Sequence, residues 1–393
     1  MKLSRAAAVV GVGASSFERR PETSVLEMVG DAFAAALDDA GLEKQAIDGL
    51  VVHIGSPRGA DHDVVAQTFG PRSQVLFADV ATRPPDRHGR GASGDGCRFR
   101  PGYSRCLHPW REEFEHGRLG EANNPYFYEQ FRENDGPHAE EGHIGMSSSP
   151  VGGAAMALDL YCKRYGVDRE LLAEIPLTFR RHARLNPDAV AQQELTIEAY
   201  RSAREIVAPI RLFDCSLVGD GAICVIVAAA DQTVARKPPI WITGVQGVHA
   251  SRDTFIFAPR GLGMAQQSAK RLTRSEARSH GAYRMAGVSP DDIDVLGVYD
   301  SFSPLPIYTL EDFGFCEAGE GLAWVQAGRV GLGGELPTNT NGGQLSHAQL
   351  NGWGQIRELV TQLRGEASGR QVAGAQTGMW ATIAGDAIIF QRD

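Results

Sequence analysis

The chain has 393 residues, 42% of them hydrophobic and 22% charged, with a formal net charge of −9. That is apolar payload for a large buried core and two or three domain-sized units. The acidic balance argues against a nucleic-acid partner, and no apolar run reaches the roughly 18 residues that span a bilayer, so a cytoplasmic protein with no membrane partner is expected.

In chain order, Ala8-Val9-Val10-Gly11 reads as a first strand. The basic head before it is short and its apolar run is broken by glycines, unlike a signal peptide. Gly11-Val12-Gly13-Ala14-Ser15-Ser16 sits where a dinucleotide fingerprint would. Ser16 takes the place of the third glycine and no acidic residue closes a second strand, so nicotinamide binding is not expected. The glycines are expected to end the strand. Val25 to Leu37 has helical periodicity, and Leu50-Val51-Val52 and Val75-Leu76-Phe77 read as strands.

From Arg83 to Arg118 the only Val, Ile, Leu or Met is Leu107. This stretch lacks the apolar payload and periodicity for a buried helix or a central strand. It is either a divergent insertion or, over residues 83 to about 111, an out-of-frame reading of a GC-rich gene, which would enrich arginine, proline, glycine and cysteine. Residues 111–149 read as a long functional loop or lid. Their aromatics (Phe114, Tyr126, Phe127, Tyr128, Phe131) suit either a bulky apolar substrate or the lid's own packing.

Pro150 to Tyr165 reads as a helix, Gly221 to Ala230 as a strand buried on both faces, Trp353 to Arg364 as a helix, and Gln376 to Phe390 as two strands around Gly385. None of the six cysteines forms a C-x-x-C pair, so no metal site is expected. Cys162, Cys215, Cys224 and Cys316 read as reduced buried thiols.

The chain repeats itself. Ala40-Gly41 is followed after five residues by Ile47-Asp48 and an apolar strand; Ala286-Gly287 is followed at the same spacing by Ile293-Asp294 and Val295-Leu296-Gly297-Val298. A helical pattern precedes each copy (Val25 to Leu37; roughly Ala265 to Met285), and a β-branched strand lies further back (Ala8-Val9-Val10; Ile240-Trp241-Ile242). Strand, helix, glycine cap and strand, written twice, indicate a duplicated α/β unit.

These pieces, with PVGGAAMALDLYCKRYGVDRE, LFDCSLVGDGAICVIVAA and LGGELPTNTNGGQLSHAQLNGWGQIRELVTQLRGE, resemble the thiolase superfamily, specifically the lipid-transfer-protein branch related to the sterol-carrier-protein thiolases. The resemblance covers most of the chain. It implies an α/β, thiolase-like fold of two duplicated five-stranded layered halves, residues 1–235 and 236–393, with a lid inserted in the first. It also implies a homodimer, an acyl-CoA substrate and no cofactor beyond the coenzyme A of that substrate.

Thiolase chemistry needs an activated cysteine nucleophile, a second cysteine or base, and donors facing the thioester oxygen. Where sterol-carrier-type thiolases carry H-D-x-F, this chain has Tyr299-Asp300-Ser301-Phe302. Tyr299 is either an acid/base or oxyanion donor, or a packed aromatic at a strand end. The loop Asn339 to Gln349 resembles the family's N-x-x-G-G…G-H-P, with Gln349 in place of the family histidine and His347 two residues earlier. His347 is either a site residue or a solvent-facing or capping residue. No cysteine falls in Met379 to Gly385, and Cys97 and Cys106 have no helix to activate them. The candidates are therefore Tyr299, Asp300 and His347 for catalysis, and Asn341, Gly342, Gly343 and Gln349 for substrate or CoA binding.

A covalent thiolase mechanism is not expected. Retro-aldol cleavage of a β-hydroxyacyl-CoA needs no acyl-cysteine, and steroid side-chain-degrading members of the resembled branch carry tyrosine at the place of Tyr299. They also have a second tyrosine in the glycine-rich loop, absent here, and a small OB-fold/zinc-ribbon partner subunit. The alternative is a non-catalytic acyl-CoA-binding or scaffold subunit.

Overall fold

The structure, a computed structural model, describes residues 4–18, 23–53, 62–69, 75–79, 103–110, 150–217, 219–233, 235–247, 274–279, 281–383 and 385–393. The strands are β1 Ala7–Ala14, β2 Ile47–His53, β3 Val75–Asp79, β4 Tyr103–Trp110, β5 Glu205–Val207, β6 Ile210–Arg211, β7 Gly221–Ala229, β8 Ile240–Gln246, β9 Val295–Val298, β10 Thr377–Ala381 and β11 Ala387–Gln391. The helices are α1 Val25–Ala40, α2 His62–Phe69, α3 Pro150–Tyr165, α4 Glu174–Ala183, α5 Ile197–Ser202, α6 Arg274–Ala277, α7 Gly281–Ala286, α8 Pro304–Asp312, α9 Gly321–Gln326, α10 Gly343–Ser346 and α11 Trp353–Arg364.

The repeat is visible as structure. Ser24 accepts from the Glu27 amide while Glu27 reaches back to the Ser24 amide, a capping box that starts α1; Gly41 at φ 69° ends it. Val25, Met28, Val29, Ala32, Phe33, Ala36 and Ala40 form its buried face against the sheet. Gly11 and Gly13 do not end the first strand, as expected from sequence; they lie inside β1. A Cβ at Gly11 would stand 2.5 Å from the Ala36 carbonyl oxygen and 2.8 Å from the Ala40 Cβ, and one at Gly13 would overlap the α1 backbone. The glycines exist to let helix and strand touch. The second copy uses the same device: a Cβ at Gly244 in β8 would overlap the Ala282 carbonyl and stand 3.1 Å from the Ala286 Cβ. Gly287, at φ 73°, is its helix-ending glycine. The helix expected over roughly Ala265 to Met285 is, within the described residues, the two short helices α6 and α7, interrupted at Arg278-Ser279.

One nine-stranded sheet runs β3-β2-β4-β7-β1-β8-β11-β10-β9. In the first half β1 and β4 flank β7 antiparallel, and β4, β2 and β3 continue in parallel. In the second, β8 and β10 flank β11 antiparallel and β9 continues parallel to β10. The halves join through the antiparallel pair β1–β8. The first half has the expected five strands, and the second has four among the described residues.

β4 corrects the reading of residues 83–118. Tyr103–Trp110 is a central strand, parallel to β2 on one side and antiparallel to β7 along its whole length on the other. Strand formation here is set by two backbone ladders rather than by aliphatic content, so tertiary pairing overrides weak local preference. Cys106 lies in this strand opposite Val225, not at a helix N-terminus. Cys97 and the lid at 111–149 lie outside the described residues.

α11 packs on the sheet with residues of both halves: Ile356, Leu359, Val360 and Leu363 share one core with Val9, Ile223, Ile240, Val295 and Phe390. At its C-terminal end Arg364 donates to Asp39 of α1 at 2.7 Å and to the Val10 carbonyl at 3.0 Å, and the Val12 amide donates to the same carboxylate at 2.9 Å. This buried pair ties the halves together. Among the described residues no helix is long and apolar enough to cross a membrane.

Candidate active site at the end of β9

The chain leaves β9 at Val298 and turns at once through Tyr299, Asp300 and Ser301. The Tyr299 amide donates to the Ala381 carbonyl at 3.1 Å, which puts Tyr299 at the carboxyl ends of both parallel strands β9 and β10. This is where parallel sheets of layered α/β folds present ligands.

The glycine-rich loop is locked against that turn. Asn339, at φ 47°, accepts from the Val298 amide at 2.8 Å and donates to the Val298 carbonyl at 3.0 Å, so its side chain prolongs the sheet. The carboxylate of Asp300 accepts from the amides of Gln344 (2.9 Å) and Leu345 (3.4 Å) and from Gln355 Nε2 (2.8 Å). Gly343, at φ 61°, makes this possible, since a Cβ there would overlap Asp300 Oδ2. Gly342, at φ 105°, packs on Ala183 of α4, 2.6 Å from where its Cβ would be. Burial pushes the Asp300 carboxyl up to about 7, against the opposing pull of the two amides.

Each candidate from the sequence has a place. Tyr299 is half-buried, with its hydroxyl 3.5 Å from Asn351 Oδ1. Burial pushes its phenol up to about 12, while Ser301 and Gln344 pull it down. The phenol therefore keeps its proton at neutral pH. Asp300 is fully buried, its carboxylate taken up by the loop amides and Gln355. His347 is 2% exposed, so it does not face solvent, and it is the C-terminal cap of α10. It lies edge-on to Phe17 at 4.8 Å, and Asn341 Nδ2 stands 3.1 Å from its Nδ1. Because Asn341 Oδ1 accepts from the Gly343 amide, its Nδ2 faces the imidazole and holds it neutral as an acceptor. Burial lowers the His347 pKa to about 3. Asn341, Gly342 and Gly343 form the floor of the loop, and Gln349 accepts from Ser216 Oγ at 2.8 Å.

Sequence reasoning did not single out Asn339, Gln344, Asn351 or Gln355. Two lie in the quoted loop, but only the fold reveals that Gln355, one turn into α11, reaches Asp300. His182 of α4 was also missed. Its Nε2 accepts from the Leu332 amide at 3.2 Å, so its Nδ1 carries the proton and donates to the Asn339 carbonyl at 3.2 Å. Below the loop, Glu358 accepts from Thr340 (2.8 Å) and pairs with Arg370 through two contacts of 2.9 Å.

His182 carries a pH prediction. Burial lowers its pKa to about 4 from an ordinary 6.5. Its neutral form thus supports the fold fully above pH 6.5, and that contribution is lost as pH falls through 4. Asp300 runs oppositely over that range, since its raised pKa favours the fold at low pH. Urea midpoints of wild type and His182→Gln, measured from pH 7 to 4, are expected to converge as pH falls. A gap that stays constant would sink the assignment.

The Thiolase C-terminal domain-like family matches residues 263–388. The steroid side-chain-cleaving aldolase of Thermomonospora curvata is 29% identical, over 92% of this chain and 90% of its own. The 17-hydroxy-3-oxo-4-pregnene-20-carboxyl-CoA lyase of Mycobacterium tuberculosis is 28% identical, over 95% of each. Among solved structures, the Ltp2-ChsH2(DUF35) aldolase aligns with a TM-score of 0.79 at 26% identity, over 100% of this chain and 99% of that one. Over nearly its whole length the chain is similar to members of the thiolase superfamily.

Measured against thiolase chemistry, the described cysteines are unsuited to attack. Cys224 and Cys316 are buried, and Cys162 is half-buried with its thiol raised. Cys215 packs in the same apolar cluster as Tyr299 and Phe302, but burial and Asp214 push its thiol up to about 12, away from the thiolate a thiolase nucleophile needs. The segment beside Tyr299 on β10, Met379 to Thr382, holds no cysteine.

Proposed function

We propose that this chain is a thiolase-like aldolase that cleaves the Cα–Cβ bond of a β-hydroxyacyl-CoA thioester in steroid side-chain breakdown. The observation that carries this reading is Tyr299: a protonated phenol at the paired ends of β9 and β10, where an acyl-cysteine mechanism has no base at the adjoining segment. The chain's similarity to two enzymes named for steroid side-chain cleavage and for acyl-CoA lyase activity supports the substrate class.

In this reaction the β-hydroxyl O–H and the Cα–Cβ bond break and a ketone or aldehyde forms. The electron pair of the broken bond passes to the α-carbon and thioester oxygen, and the α-carbon takes a proton. The exchange is neutral overall. A single phenol that gives its proton to the α-carbon and receives the hydroxyl's proton balances it, and its hydrogen bond stabilises the charge that develops between. The coenzyme A moiety is part of the substrate, and no further cofactor is required by this chemistry.

A small partner subunit belongs to the proposal, because the aligned aldolase structure is an Ltp2-ChsH2(DUF35) assembly. So does a homodimer. The test is to incubate the purified chain, with and without a small OB-fold partner, with 17-hydroxy-3-oxo-4-pregnene-20-carboxyl-CoA. Release of a 17-ketosteroid and a short acyl-CoA is expected. Coenzyme A thioester binding with no cleavage under either condition would favour the scaffold alternative.

A further inference from the structure

Gln344 is the unengaged side-chain amide of a loop whose other amides, Asn339, Asn341 and Gln349, are hydrogen-bonded. It is 0% exposed, and its backbone amide is committed to Asp300, yet neither Oε1 nor Nε2 of its side chain has a hydrogen-bond partner among the described residues. Ser301, 6% exposed and one residue past Asp300, likewise leaves its Oγ unpartnered among them. An unmet buried amide costs on the order of 1–3 kcal/mol, so an interior rarely keeps one for packing alone. Ser301 is two residues past Tyr299, and the Gln344 backbone is bonded to Asp300, the residue that follows Tyr299, so both belong to the turn that carries the tyrosine. The neighbouring amides of the same region are all engaged: Asn339 on Val298, Asn341 on Gly343, Gln355 on Val298 and Asp300, Gln362 on Thr340 and Glu358. Gln344 and Ser301 remain unpartnered among the described residues, as do His347 Nε2 in the same loop and Ser303 Oγ in the same turn.

We propose that the Gln344 side-chain amide, assisted by Ser301 Oγ, binds the β-hydroxyl of the substrate and holds it against Tyr299, making Gln344 the residue that selects hydroxylated over unhydroxylated thioesters. An alcohol is both donor and acceptor. A carboxamide offers one acceptor and one donor side by side, and so satisfies it in either sense without carrying charge into a buried site. A site built this way discriminates strongly, because a substrate lacking the hydroxyl leaves the amide unpaired again. The inference rests on the aldolase reading for the identity of the hydroxyl. Binding and stability measurements separate the two.

The probes are 17-hydroxy-3-oxo-4-pregnene-20-carboxyl-CoA and its 17-deoxy counterpart, titrated into wild type and Gln344→Leu, with Ser301→Ala as a second variant. Wild type is expected to favour the hydroxylated thioester at least tenfold. Gln344→Leu is expected to erase that preference while leaving the affinity for the deoxy thioester unchanged or tighter. Its thermal midpoint is expected to equal or exceed that of wild type, since an unmet amide is replaced by an apolar group of similar size. Ser301→Ala is expected to reduce the preference in part. An unchanged preference in Gln344→Leu overturns the inference, as does a marked fall in its midpoint, which would make the amide structural. Wild type that prefers the hydroxylated thioester but cleaves neither would remove the aldolase reading and leave this inference standing.

Discussion

Tyr299→Phe is expected to lower aldolase turnover by roughly 10²- to 10⁴-fold, the range that positioned acid–base groups contribute. The hydroxyl stands 3.5 Å from Asn351 Oδ1, at the edge of a hydrogen bond, while the ring packs with Phe302 and Cys215. Removing one oxygen should change stability by about 1 kcal/mol or less. Activity and stability therefore separate cleanly: circular dichroism and the urea midpoint stay near wild type while kcat falls. With the phenol pushed up to about 12, the wild-type rate should show no limb from tyrosine ionisation below about pH 10. A variant that turns over as fast as wild type would show that the tyrosine only packs.

The fold was largely legible in the sequence, and the reason is geometric. The repeated Ala-Gly, helix and strand spacing records a physical contact, the seat of a helix on a glycine of the preceding strand, and it recurs at Gly11 and Gly244 with the same partners, Ala36 and Ala40 in one copy and Ala282 and Ala286 in the other. β4 was not legible. Its place comes from ladders to β2 and β7 that are distant in sequence, and no local pattern announces them. The site was legible as an address rather than as an arrangement. Tyr299 and the Asn339 to Gln349 loop were found through their resemblance to the family's H-D-x-F and N-x-x-G-G…G-H-P segments. What each side chain touches depends on α4 and α11, so the inward turn of His347 and the reach of Gln355 to Asp300 could not be read beforehand. Gln344 could have been suspected from composition alone, as an amide between two glycines and a leucine that reads as core.

Asp300→Ala is the change expected to damage the protein most. It strands the amides of Gln344 and Leu345 in a buried position and takes one of two acceptors from Gln355, which keeps only the Val298 carbonyl at 3.2 Å. Removing one partner from a buried charge-assisted network costs about 3–5 kcal/mol. Asp300→Asn keeps the volume and one acceptor oxygen and should lose about half as much. The pH dependence identifies the group. Its folded pKa is raised to about 7 from an ordinary 3.8, so its proton-linked support for the fold is full below 3.8 and lost as pH rises through 7. Asparagine has no such linkage, so the gap between wild type and Asp300→Asn in urea midpoint should narrow from pH 5 to pH 8; a gap that stays constant would mean the carboxyl is ionised throughout. Turnover should fall with both variants, because Asp300 places the Gln344 backbone and hence the polar groups around Tyr299. The asparagine variant should recover part of it in kcat, as expected of a residue that orients the site without touching the reacting atoms.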